Sequence, residues 1–108
     1  MEPSLINKQN GRTLTATNRL VVKIGSALLV EERTGEIRHT WLNKLADDIA
    51  NLKSQGKEVL IVSSGAIAVG SQHLRINQQV LKLEEKQAAA ATGQIRLAHA
   101  YETALARH

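Results

Sequence analysis

The stretch Leu20-Val21-Val22-Lys23-Ile24-Gly25-Ser26 decides how this chain is read. Leu20, Val21, Val22 and Ile24 form a short, branched, apolar run of the kind that fills a buried strand. A strand covered on both faces is apolar throughout. Lys23 interrupts that run just before it breaks at Gly-Ser. In a parallel sheet this is the carboxyl edge, where ligands bind. A lysine at that edge suits a phosphate. A lysine at a strand end can equally snorkel into water with no ligand at all.

Working outward, a polar loop is expected from Gly25 to about His39. It carries the charge run Glu31-Glu32-Arg33, read as solvated, and the turn signal Thr34-Gly35. A helix follows near Thr40, a suitable N-cap. Leu42, Leu45, Ala46, Ile49 and Leu52 recur at helical spacing, with Trp41 at the margin. Lys44, Asp47, Asp48 and Asn51 fall on the opposite face, which makes the helix amphipathic. The Asp47-Asp48 pair is read as solvated there rather than as a metal site. Gly56 ends the helix. The next strand is Glu58 to Val62. Strand, helix and strand make a βαβ unit with parallel strands and a right-handed crossover. Both strands then end on one edge, and Lys23-Ile24-Gly25-Ser26 lies beside Val62-Ser63-Ser64-Gly65-Ala66.

That second segment is the other motif with chemistry in it. Small residues follow an apolar strand, and a helix from Ile67 to about Leu74 follows them. Backbone N–H groups at a helix start bind anions. Ser63 or Ser64 serving as an ordinary N-cap fits the same letters. Gly70 permits close packing or a bend. A linker from Arg75 to Gln79 leads to a long helix, about Leu81 to Arg107, alanine-rich from Gln87 to Thr92. Gly93 is costly inside a helix, by about 1 kcal/mol relative to Ala. It marks a kink or a close approach of another backbone. Ile95, Ala98, Tyr101 and Leu105 read as the apolar stripe, widened by Leu97 and Ala104.

Composition narrows the chemistry. The chain has 108 residues, 43% hydrophobic and 22% charged, which is enough for one domain or part of one. It contains no cysteine, so disulfides, thiolate metal sites and cysteine nucleophiles are excluded; a reducing compartment fits. No apolar run approaches the ~18 residues of a membrane span. The net charge of +4 raises nucleic acid as a partner. The charges are dispersed, and Trp41 and Tyr101 are the only aromatics, too few for a base-stacking platform. The histidines never take the i, i+4 spacing of a helical metal pair. GxSxG, GxGxxG and the long phosphate-loop pattern are all absent.

Three blocks together resemble the amino acid kinase family, in its glutamate 5-kinase branch. They are Val21-Val22-Lys23-Ile24-Gly25-Ser26-Ala27-Leu28-Leu29, then Val62-Ser63-Ser64-Gly65-Ala66-Ile67 with Gly70, then Lys86-Gln87, Ala90-Ala91 and Gly93-Gln94. Each block is weak alone, and the three in order are specific. Acetylglutamate kinases and aspartokinases usually carry Gly-Gly after the first lysine, where this chain has Gly25-Ser26. Uridylate kinases tend to a more glycine-rich second loop. Proteins that fuse this kinase to a reductase share the same blocks.

The resemblance implies an α/β fold: the N-terminal βαβ part of an αβα sandwich with a mainly parallel sheet. Residues 1–18 are mostly polar and read as a flexible tail, and the resemblance implies an incomplete kinase domain over 19–108. The implied reaction is ATP-dependent phosphorylation of the γ-carboxylate of L-glutamate to γ-glutamyl phosphate, the first step of proline biosynthesis. Lys23 would be catalytic and contact the ATP phosphates, with Gly25 and Ser26 as donors to phosphate oxygens. Ser64 would hold glutamate, and Gly65 and Ala66 would shape its pocket. Magnesium would accompany ATP, with no metal ligand in this chain. A cytoplasmic homo-oligomer is implied for the full-length protein, with no membrane or nucleic-acid partner for this segment. The family's downstream aspartate, second lysine and adenine site are not in the sequence, so the 108 residues alone are expected to be inactive. Other strands would cover the sheet edge and apolar faces in a longer chain. The alternatives are another amino acid kinase, such as one for acetylglutamate, and a non-catalytic nucleotide or small-ligand module.

Overall fold

The computed structural model describes residues 15–77 and 80–108. β1 (Arg19–Ile24) is followed by one helical turn, α1 (Ser26–Leu29), then α2 (His39–Ser54) and β2 (Glu58–Ser63). α3 (Ala66–Leu74) and α4 (Leu83–Leu105) complete the order. The two strands pair in parallel, Arg19 opposite Glu58 and Ile24 opposite Ser63. This is the expected βαβ unit. Most of the expected tail lies outside the described residues. Thr15 to Asn18 are described and held: Lys57 Nζ donates to the carbonyls of Thr15 and Thr17, and the Glu58 N–H donates to Asn18 O at 2.8 Å.

α2 starts one residue before the expected cap. Arg38 stands at the N-cap position and makes no side-chain cap, so Thr40 lies within the first turn. Its buried residues are Leu42, Ala46 and Ile49. The end follows the Schellman pattern, in which orphan carbonyls are satisfied across a left-handed residue. Gly56 takes φ +81° and its N–H donates to Lys53 O, while the Lys57 N–H donates to Leu52 O. Asp47 is exposed but engaged, pairing with Arg107 at 3.4 Å and His108 at 2.7 Å. These contacts tie the end of α4 to α2.

Two expectations need correction. The segment from Gly25 to His39 is not simply a solvated loop. It contains α1, and Val30 forms an antiparallel bridge with Ile37 that closes a tight hairpin. Leu29 and Val30 are buried, because the hairpin folds its apolar base inward and leaves Glu32 and Arg33 in water. The stripe on α4 is also displaced. The buried positions are Ala89, Gly93, Leu97, Ala100 and Ala104. Ile95 is 73% exposed and Ala98 is exposed too, while Tyr101 and Leu105 pack at the edge of the core. At Ala89 and Gly93 the face is small because α4 lies so close to α3 there that larger side chains do not fit.

The glycines show how close that is. A Cβ built on Gly93 would stand 1.6 Å from Ala66 O, and one on Gly70 would stand 1.8 Å from Ala89 O. Gly93 is therefore a point of backbone approach. The core lies between the helices and one sheet face: Ile24, Leu29, Val30, Leu42, Ala46, Val69, Leu97, Ala100 and Ala104. Val22 and Ile61 pack against it from the sheet. Val21, Leu60 and Val62 point to the other face and stay largely exposed. No helix among the described residues is long and apolar enough to cross a membrane.

Two stability outcomes follow. Gly93→Ala gains helix propensity of about 1 kcal/mol. It nevertheless destabilises the chain by about 3 kcal/mol, because the clashing atoms are backbone and cannot rotate away. Urea unfolding of the chain measures this, and an unchanged midpoint would refute the close contact. Ser71 is 1% exposed and its Oγ has no hydrogen-bond partner among the described residues. A buried hydroxyl left unsatisfied costs about 1–3 kcal/mol. Ser71→Ala should therefore raise the unfolding midpoint.

Candidate functional site

The carboxyl edge of the two-stranded sheet gathers the residues singled out in the sequence. Parallel pairing sets Lys23 opposite Val62 and Ile24 opposite Ser63. The ladder continues one step past the strands, where the Ser64 N–H donates to Ile24 O at 2.9 Å. Beyond it, the turns touch. A Cβ on Gly65 would stand 2.9 Å from Val30 Cγ2 and 3.8 Å from Ser26 Cβ. So the buried base of the 30–37 hairpin props the second turn from below. Gly65 takes φ +106° as the N-cap of α3, a conformation that only glycine adopts freely.

Each candidate residue has a defined surrounding. Lys23 is exposed, and its ammonium has no partner among the described residues. Strand alternation puts it on the uncovered sheet face, one residue before the edge. Gly25 has φ −74°, and a Cβ there would meet nothing within 4 Å. Neither backbone strain nor packing therefore requires a glycine at this position. Ser26 opens α1 and is exposed. The Ser64 hydroxyl is exposed and has no partner among the described residues. Ala66 begins α3, and its carbonyl lies against Gly93. The leading N–H groups of α3 lack intrahelical acceptors and carry the positive end of its dipole.

Ser63 and Ser64 do not cap α3. The N-cap is Gly65 and no side chain bonds there. Ser63 is turned away instead: its Oγ donates to Ser64 O at 3.1 Å and accepts from the Tyr101 hydroxyl at 2.9 Å. Tyr101 is a member of this site that the sequence reading placed only on a stripe. No local pattern reveals a contact across 38 positions. The usable signal is that a buried tyrosine normally finds a partner for its hydroxyl. Burial raises the Tyr101 phenol above its ordinary value of 10.

A cleft of about 670 Å³ adjoins this edge. Ser26 and Val30 line one wall, Ala68 and Ser71 of α3 the other, with Thr34 and Gly35 at the hairpin tip. Taken together, the edge offers a free cation, two exposed hydroxyls, a glycine with open space beside it and the start of a helix. That set can hold an anion and present donors to it.

The model of the amino acid kinase family matches residues 18–108. The chain is 62% identical over 95 residues to the glutamate 5-kinase of Paramagnetospirillum magneticum, covering 88% of this chain and 25% of that protein. It is 59% identical over 88 residues to the glutamate 5-kinase of Rhodospirillum rubrum, covering 82% and 24%. It is 56% identical over 95 residues to that of a Ruegeria species, covering 88% and 26%. The chain spans about a quarter of the length of these relatives. The family match runs from before β1 to the end of α4 and takes in both turns of the site, so the chain belongs to the amino acid kinase family.

Proposed function

We propose that this chain forms the phosphate- and acceptor-binding edge of a glutamate 5-kinase. The observation that carries the reading is the meeting of Lys23, Gly25, Ser26 and the Ser64–Ala66 turn at one carboxyl edge. The names of the relatives give the acceptor: glutamate, phosphorylated on its γ-carboxylate.

In this reading a γ-carboxylate oxygen attacks the terminal phosphorus of ATP. The new O–P bond forms as the bond to the bridging oxygen breaks, and ADP departs with that electron pair. The acceptor is already an anion, so no proton has to be removed. What remains is to bring anions together and stabilise the charge of the transition state. Lys23 supplies the cation, on a flexible stem that reaches past the strand end. Gly25 lets the phosphates approach the backbone, since no Cβ stands in the way. Ser26 adds a hydroxyl donor. Ser64 holds the acceptor through its free hydroxyl, with Gly65 and Ala66 shaping the turn around it. Magnesium bound to ATP neutralises phosphate charge. The two turns hold no carboxylate, so residues outside them would hold the ion together with the phosphates.

The test is ADP release from the longest natural chain that carries this sequence, given Mg-ATP with glutamate, acetylglutamate, aspartate or no acceptor. Release with glutamate alone is expected. Release with acetylglutamate instead would assign the chain to a different acceptor. Lys23→Ala should lower turnover about a hundredfold, comparable to loss of an oxyanion donor. Gly25→Ala should leave the unfolding midpoint unchanged and raise the KM for ATP. A Gly25→Ala variant with unaltered ATP kinetics would remove that residue from the phosphate site. Ser64→Ala should raise the glutamate KM more than it lowers kcat, as expected of a contact made in both ground and transition states.

A further inference from the structure

Ser64 is held in an unusually complete way. The peptide group before it is pinned by the Ser64 N–H donating to Ile24 O at 2.9 Å. The peptide group after it is pinned by Ser63 Oγ donating to Ser64 O at 3.1 Å. With both flanking peptides fixed, the direction of the Ser64 Cα–Cβ bond is fixed as well. The second pin is the weaker, because Ser63 is one residue away and its hydroxyl can rotate to other staggered positions. What prevents this is the Tyr101 hydroxyl, which donates to Ser63 Oγ at 2.9 Å from the adjacent helix. A hydroxyl that accepts one hydrogen bond and donates another has little freedom left.

Tyr101 is itself well placed to act as an anchor. It sits half-buried against the core on α4, between the buried Leu97 and Ala100 and the buried Ala104. α4 in turn is locked to α3 at Gly93 and Gly70. The turn and the anchor therefore belong to one rigid unit, although 38 residues separate Ser63 from Tyr101. No hydrogen bond from a side chain at the N-cap of α3 does this work. A tyrosine phenol is protonated across the neutral range, so it remains a donor.

We propose that Tyr101 is a positioning residue for the acceptor: through Ser63 it fixes the Ser64 peptide and so the direction of the Cα–Cβ bond from which the Ser64 hydroxyl reaches the substrate carboxylate. This rests on the assignment of Ser64 to the acceptor in the kinase reading above. Tyr101 touches neither substrate, and its effect is confined to acceptor binding.

The experiment uses the longest natural chain carrying this sequence, with Tyr101→Phe, Ser63→Ala, Ser63→Thr and the Tyr101→Phe/Ser63→Ala double variant. Initial rates are read against glutamate and against ATP, and thermal unfolding is read on each protein. Tyr101→Phe removes one oxygen and keeps the ring. It should raise the glutamate KM about three- to tenfold, the range of one neutral hydrogen bond, with the ATP KM and the unfolding midpoint close to the parent's. Ser63→Ala should match it, Ser63→Thr should restore the parent's glutamate KM, and the double variant should be no worse than either single. If Tyr101→Phe does not fold, the Ser63 pair carries the test. An active parent whose Tyr101→Phe and Ser63→Ala variants keep the parent's glutamate KM overturns the positioning role and leaves the kinase reading standing. A folded parent with no glutamate-dependent ADP release overturns both.

Discussion

The contact on which the rest depends is that of two backbones with nothing between them. α3 and α4 meet where Gly93 faces Ala66 O and Gly70 faces Ala89 O. Side chains at those positions would force the helices apart. Ala66 is the first residue of α3, immediately after the Ser63–Gly65 turn. Fixing Ala66 against Gly93 therefore fixes the turn from the side opposite the sheet. β1 holds the same turn from the sheet side, through Ile24 O and the Ser64 N–H. The site is suspended between a helix crossing and a strand ladder. Neither could be moved without the other.

This arrangement divides the glycines by purpose. Gly70 and Gly93 serve packing, and Gly35, Gly56 and Gly65 supply positive φ. Gly25 does neither. Glycine is entropically costly where the fold does not need it. A position that tolerates a larger residue structurally and still lacks one is where a ligand's close approach is the economical explanation. The same logic separates the hydroxyls. Ser63 is spent on Tyr101 and Ser64 O, and the Ser64 hydroxyl is left over among the described residues.

Much of the frame was legible from the letters. Both strands, their parallel pairing and their shared edge follow from two apolar runs joined by an amphipathic helix. Gly56 as a helix stop follows from what glycine permits, whereas Gly93 allowed a kink or a close approach until its crossing with Ala66 decided between them. The misreadings have physical causes too. A search for hydrophobic residues at helical spacing finds Leu97 and Ala104 but passes over Ala89, Gly93 and Ala100, because such small residues carry little hydropathy signal. It then settles on Ile95, which lies in water. The 25–39 segment misled because its tip is charged while its base, Leu29 and Val30, is buried. Tyr101 was invisible because side-chain contacts across separate elements leave no periodic trace.

The parallel pairing also has a kinetic meaning. Arg19 meets Glu58 only after a connection of about forty residues has closed, and each doubling of a loop costs roughly 0.6 kcal/mol in closure entropy. α3 and α4, by contrast, are joined by the short segment 75–82 and find each other locally. Chains gain local contacts sooner than distant ones. On contact order alone, the α3–α4 pair is expected to form before the β1–β2 ladder. On that order, the Ser64 turn gains its sheet-side pin, the Ser64 N–H donating to Ile24 O, together with the cation at position 23.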